Sequence, residues 1–176
     1  MNMRGITRRW LLNSLGIMLL ILVILIVVLS YVIRGSIYGS IQATLDGRSG
    51  ELTNVFSDYG RNSSREFNTV ARNYVENFSD KESMELMVFN SSGRILITSM
   101  GFEPDETQPM PDYTQAVNSG EDFGTWTGKL TSGEKVMAVT RVVRNDMGSL
   151  VGAVRYVVSL EMADRQVLAV VFFLVG

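Results

Sequence analysis

The stretch Glu134–Leu160, EKVMAVTRVVRNDMGSLVGAVRYVVSL, decides the fold class. Two runs rich in β-branched residues, Glu134 to Arg144 and Leu150 to Leu160, flank the turn signal Asn145-Asp146-Met147-Gly148. Successive side chains of a strand point to opposite faces. Met137, Val139, Arg141 and Val143 therefore share one face, and Val136, Ala138, Thr140 and Val142 the other. In the second run Val151, Ala153, Arg155 and Val157 oppose Leu150, Gly152, Val154, Tyr156 and Val158. Both faces are largely apolar, which predicts an antiparallel pair covered on both sides.

Working outward, Gly124 to Leu130, GTWTGKL, joins this pair through Thr131-Ser132-Gly133 and extends it to a meander. Further upstream, Glu85 to Asn90 (ELMVFN) and Arg94 to Met100 (RILITSM) flank Ser91-Ser92-Gly93 and read as a hairpin. Between hairpin and meander, Gly101 to Pro111 holds all three prolines of the chain and is predicted to be a loop, because proline offers no amide donor and restricts its predecessor. Asp112 to Asn118 suits a short helix ended at Ser119-Gly120. The expectation is an α+β domain with a five-stranded antiparallel sheet, one face covered by a long helix and the other by the loop and short helix.

That long helix is read over residues 34–80, either unbroken or as two helices. Ile37, Ile41, Leu45, Leu52, Val55, Phe56, Tyr59, Phe67, Val70, Ala71, Tyr74 and Phe78 recur mostly at spacings of three, four, seven and eight. Glycine lowers helix stability by about 1 kcal/mol relative to alanine, so irregularity is expected around Gly47–Gly50 and Gly60–Ser64. The apolar stripe packs on the domain's own sheet, and its membrane-proximal part is a candidate for pairing with a second chain.

Trp10 to Ile33, WLLNSLGIMLLILVILIVVLSYVI, carries no charge. As a helix its 24 residues would extend about 36 Å, enough to cross a bilayer core with some tilt. In lipid the backbone must satisfy itself, so a helix is required. Arg4, Arg8 and Arg9 precede it, which places residues 1–9 in the cytoplasm and residues 34–166 outside. Trp10 and Tyr31 lie near its ends, where amphipathic rings suit the headgroups. The alternative, a cleaved signal peptide, requires a shorter apolar core and a small-x-small site that Ser30-Tyr31-Val32-Ile33 does not supply. At the other end Glu161 to Gln166 is polar and helix-compatible, and Val167 to Gly176, VLAVVFFLVG, is apolar. Ten residues are too few to span a bilayer. They are read as the start of a second transmembrane helix cut off partway, with a short core segment as the alternative.

Composition excludes several function classes. The net charge of −2 gives no case for nucleic-acid binding, and residues 34–166 are mildly acidic, with 13 basic and 18 acidic side chains. The chain has no cysteine and no histidine. Disulfides, Ser-His-Asp and Cys-His catalysis, histidine-ligated zinc and a phosphoacceptor histidine are therefore all absent from these residues. An anchored enzyme would need a carboxylate pair or a Ser-Lys arrangement, and Lys81, Lys129 and Lys135 lie in no recognisable motif. No catalytic residue, metal ligand or cofactor site is assigned.

The anchor, the following long helix, MVFNSSGRILITSM, GEKVMAVTRVV, and GSLVGAVRYVVSLEMADRQ running into an apolar stretch resemble the extracytoplasmic PAS-like (Cache/PDC) sensor region of a bacterial two-component sensor histidine kinase. The likeness covers nearly all of the chain. It implies a membrane-bound homodimer that detects a small-molecule or physical signal and passes it through two membrane helices. The output would be an ATP-dependent histidine kinase and a response regulator, parts not contained in these residues. The same domain type also precedes chemoreceptor and cyclic-dinucleotide outputs. In such sensors a ligand sits between the sheet and the covering loop, which here would draw on Tyr113, Trp126, Met137, Arg141, Arg155 and Tyr156. Arg141 and Arg155 each interrupt an apolar strand, and a guanidinium suits a carboxylate ligand. The plainer alternative is that they reach water or pair with Glu85, Glu134 or Asp112, and that Trp126 and Tyr156 are core aromatics. Glu103, Asp105 and Glu106 lack the spacing of a calcium loop and read as a solvated acidic loop.

Overall fold

A computed structural model describes residues 3–59, 64–101 and 107–175. The elements in order are α1 (Met3–Tyr59), α2 (Ser64–Glu76), β1 (Glu85–Asn90), β2 (Ile95–Thr98), α3 (Pro111–Asn118), β3 (Phe123–Lys129), β4 (Lys135–Arg144), β5 (Leu150–Ser159) and α4 (Glu161–Val175). They fall into two compact units. One comprises the described residues of Met1–Gly39 and Ala163–Gly176, the other Ser40–Met162.

The larger unit is built on a five-stranded antiparallel sheet of order β2-β1-β5-β4-β3. The five expected strands form. β2 is shorter than its apolar run, and Pro111 opens α3 rather than closing the loop. A proline at the first helical position loses nothing, since that amide has no partner within the helix. The acidic residues Glu103, Asp105 and Glu106 lie outside the described residues.

Strand alternation and the pairing register give the sheet two distinct faces. One carries Leu86, Val88, Met137, Val139, Arg141, Val143, Val154 and Tyr156, by the pairings Leu86↔Tyr156, Val139↔Tyr156 and Arg141↔Val154. On this side lie α2 and the part of α1 within the larger unit, which bury Leu45, Leu52, Phe56, Phe67, Ala71 and Val75. The Phe56 and Phe67 rings meet at 5.0 Å between centroids, and Phe67 lies directly on Gly152, where any β-carbon would strike its ring. The other face forms a second core of Met87, Phe89, Val136, Ala138, Val142, Ala153 and Val157, closed by Ala116 and Tyr113 of α3 and by Trp126. Both faces are thus covered, one by the long helical segment and one by the short helix, as the apolar alternation requires.

The irregularity expected at Gly47–Gly50 does not occur, for α1 continues through it. Leu45, Ser49 and Leu52 are buried around these glycines. Packing of that face outweighs the local propensity loss, as tertiary context routinely does. At the other expected place, Gly60–Ser64, α1 ends at Tyr59 and α2 begins at Ser64, and residues 60–63 lie outside the described residues.

In the smaller unit, α1 is the one helix among the described residues long and apolar enough to cross a membrane, and most of its apolar side chains from Leu15 to Val32 are exposed. α4 starts with the polar Glu161–Gln166 and continues into the apolar run, but its 15 residues fall short of the ~20 a bilayer needs. Just past the apolar run of α1, Tyr38 donates to Asp164 Oδ1 at 2.7 Å and Arg34 Nη2 to the same oxygen at 3.1 Å. These bonds tie α1 to α4 inside this unit.

Candidate functional site

The short-helix face of the sheet holds a buried polar cluster. Pairing places Gly124 (β3), Thr140 (β4), Arg155 (β5) and Met87 (β1) in one row across the sheet. α3 crosses above it. The backbone of Asp112 and Ala116 lies so close over Gly124 that any side chain there would collide with it. This approach lowers the Asp112 carboxylate into the row. Arg155 Nε donates to Asp112 Oδ2 at 2.8 Å and Arg155 Nη2 to Oδ1 at 3.1 Å, a two-pronged pairing. The Thr140 hydroxyl donates to Oδ2 at 2.6 Å, and Arg155 Nη1 lies 3.9 Å from the Met87 sulfur. Asp112, Thr140 and Arg155 are each fully buried. A buried guanidinium is tolerated only when paired in this way. Of the expected partners, Arg155 therefore takes Asp112.

Glu85 lies at the edge of this face. It accepts a hydrogen bond from Thr98 Oγ1 at 2.9 Å. Burial pushes its carboxyl above the usual range, against the opposing pull of the Thr98 hydrogen bond and the Arg155 charge. Tyr113 packs on Phe89 with ring centroids 4.7 Å apart, and burial raises its phenol.

The six candidate residues do not meet in one place. Tyr113, Trp126 and Arg155 belong to the short-helix face, whereas Met137, Arg141 and Tyr156 belong to the face covered by α1 and α2. Trp126 lies over Gly128 of its own strand and packs against the core. Met137 is buried. Arg141 reaches neither of the strand partners considered for it. It pairs with Asp46 of α1 at 2.5 Å, donates to Ser49 Oγ at 2.9 Å, and lies 4.8 Å from the Phe123 ring centroid. Tyr156 is wholly buried beside Phe78, ring centroids 6.1 Å apart. Burial, with the Tyr74 phenol nearby, pushes its hydroxyl well above the usual range. That hydroxyl makes no hydrogen bond of good geometry among the described residues.

Sequence reasoning missed Thr140, Gly124 and a groove on the α1/α2 side. The glycine is a readable signal in retrospect, since an interior strand glycine marks close approach of another backbone. The groove has a volume of about 420 Å³ and is lined by Arg48 of α1, Val70, Asn73 and Tyr74 of α2, and Asn77, Phe78 and Ser79 just beyond it. Among the described residues there is no group of three or more acidic side chains placed to hold a metal ion.

No protein-family model matches the chain, and no curated protein does. Solved structures do. The ligand-binding domain of the Pseudomonas aeruginosa PAO1 amino acid chemoreceptor PctC, in complex with GABA, matches with a TM-score of 0.50 and 18% identity over 70% of this chain and 57% of that one. The ligand-binding domain of Mlp24 with asparagine matches with a TM-score of 0.56 and 16% identity over 76% of this chain and 55% of that one. The chain thus spans a little over half the length of these two domains. At such identities the likeness is one of fold: residues of this chain adopt an α+β fold like that of these two ligand-binding domains.

Proposed function

We propose that this chain is the signal-input half of a membrane-bound sensor, with residues 10–33 as its first transmembrane helix, residues 34–166 outside the cell membrane, and residues 167–176 opening a second transmembrane helix. The observation that carries the reading is a sensor-type sheet domain bracketed by two apolar helices, tied to each other through Tyr38, Arg34 and Asp164. A ligand or physical stimulus acting on the domain shifts the balance between two packings of these helices. The output is a histidine kinase acting on a response regulator, working as a homodimer in the lipid bilayer. A chemoreceptor output is the second reading, favoured by the fold likeness to the ligand-binding domain of the amino acid chemoreceptor PctC. Those neighbours hold GABA and asparagine, so a small amino acid or organic acid is the ligand class to test first.

Two measurements test this. The gene beyond Gly176 is expected to complete a membrane helix and continue into a linker with either a histidine-bearing helix and ATP-binding domain or a receptor signalling helix. Finding neither sinks the proposal. Because the chain has no cysteine, a single Ser132→Cys in the exposed β3–β4 turn can be probed in intact cells with a membrane-impermeant maleimide. Labelling equal to that of lysed cells is expected. Labelling only after lysis places the domain inside and overturns the topology.

A further inference from the structure

We infer that the domain's ligand site is the groove between α1 and α2, and that it takes a small carboxylate carried on an apolar body. This rests on the ligand-sensing reading above and adds the place and the chemistry. On the short-helix face the Arg155 guanidinium is paired with Asp112, whose carboxylate also accepts from Thr140, and an apolar core surrounds the pair. The α1/α2 face differs. Its groove of about 420 Å³ is of the size that small-molecule sites occupy. Tyr74 and Phe78 supply aromatic wall, with ring centroids 6.4 Å apart, and Val70 adds an aliphatic surface. Behind them the Tyr156 hydroxyl is buried without a hydrogen bond of good geometry among the described residues.

The polar end of the groove is equally specific. Arg48 is half-exposed and lies 2.9 Å from Asp80 Oδ2 through one Nη. A guanidinium has five N–H donors, so it can add a ligand carboxylate beside that single contact. Asn73 and Ser79 flank it as neutral hydrogen-bonding groups. The side-chain amide of Asn77 donates to the Asn73 carbonyl at 2.8 Å, which leaves its own oxygen as an acceptor. A ligand anchored on Arg48 with its apolar part against Tyr74, Phe78 and Val70 would touch α1, α2 and the segment after α2 together. Arg48 belongs to the same helix, α1, that contains the apolar run.

The experiment uses the full chain in lipid nanodiscs, titrated calorimetrically with two matched sets. One set is L-leucine, L-phenylalanine and L-asparagine; the other is 4-methylpentanoate and 3-phenylpropanoate, which keep the carboxylate and apolar body but lack the ammonium. At least one member is expected to bind. Arg48→Gln should weaken that binding by about 10- to 100-fold, the loss typical of a charged hydrogen bond, and Arg48→Lys by less. Tyr113→Phe, on the opposite face, should leave it unchanged. Far-UV circular dichroism checks that each variant is folded. Binding confined to the amino acids would show that the ammonium is also read, and binding of both sets that the carboxylate suffices; either supports the site. Binding that survives Arg48→Gln within about 2-fold but is lost in Tyr113→Phe overturns the site while the sensing role stands. No binding by any member overturns the site and the small-acid reading together, leaving the topology test to judge the rest.

Discussion

The two faces of the sheet solve the same problem with opposite chemistry. Each has a helical element pressed on a glycine: α3 backbone on Gly124, the Phe67 ring on Gly152. Under α3 the space is specified by charge, with Asp112, Thr140 and Arg155 fully buried and Thr140 and Arg155 both donating to the Asp112 carboxylate. Under α1 and α2 it is specified by rings and aliphatic side chains, and the ion pairs Arg48–Asp80 and Arg141–Asp46 remain partly exposed. A buried two-pronged ion pair has one good geometry, so the α3 face is held in a single arrangement. A face packed on apolar side chains, with an open groove beside it, has more ways to adjust.

The largest expected effect breaks this contrast directly. Asp112→Ala leaves the Arg155 charge buried without its partner and should cost about 3–5 kcal/mol in urea unfolding. The double variant Asp112→Leu with Arg155→Met removes both charges and should recover most of that loss. On the other face, Tyr156→Phe deletes a buried hydroxyl that makes no good hydrogen bond, and the same measurement should find it neutral within about 0.5 kcal/mol or slightly stabilising. Equal losses for Asp112→Ala and Tyr156→Phe would erase the distinction.

The glycines sharpen it at a smaller scale. A β-carbon at Gly124 meets the Asp112 carbonyl and lies 2.8 Å from the Ala116 amide, all of it α3 backbone. Gly124→Ala must therefore lift α3 and pull Asp112 off Arg155, a cost above about 3 kcal/mol, beyond the usual range for over-packing. At Gly152 the nearest obstacle is a side chain, the buried Phe67 ring, with one backbone atom, the Phe89 carbonyl at 2.6 Å, against backbone atoms alone at Gly124. Gly152→Ala should stay within about 1–3 kcal/mol. Denaturant midpoints in the reverse order would show that the ring, and not the short helix, is the fixed element.

How far the sequence anticipates this depends on range. The strands are legible because burial on both faces writes long β-branched runs with period two, and the turns carry their glycines. The same alternation already forces Arg155 and its neighbour Tyr156 onto opposite faces, so a pocket using both from one side was never available to a regular strand. Asp112 stands among the expected arginine partners as one of three acidic residues considered. That it is chosen over Glu85 or Glu134 depends on β4 and β5 register and on Gly124 admitting α3, which are long-range facts. The groove at Arg48 is invisible for the same reason: Arg48 and Asn73 are brought together only when α1 and α2 pack side by side. Propensity misleads at Gly47–Gly50, where the burial of Leu45 and Leu52 holds the helix that glycine weakens.

The smallest effect is a pH dependence confined to the charged face. Burial raises the Glu85 carboxyl above its unfolded value, while the Thr98 hydrogen bond and the Arg155 charge oppose the shift and Glu134 adds to it. The folded state therefore holds the proton more tightly than the unfolded chain, and stability must fall as pH rises through the interval between the two values. Above the folded value the full cost of the ionised group is present; below the unfolded value it is absent. Glu85→Gln keeps an oxygen to accept from Thr98 and cannot ionise. It should raise the melting temperature relative to the parent chain at pH 7, with the difference shrinking to nothing as pH is lowered past 4. Thermal melts of both proteins between pH 3.5 and 8 read the effect. A gap that widens on acidification would mean that Glu85 is stabilised as the anion, with Arg155 dividing its charge between Asp112 and Glu85, and the α3 face would then be held by a three-membered charge network instead of a closed pair.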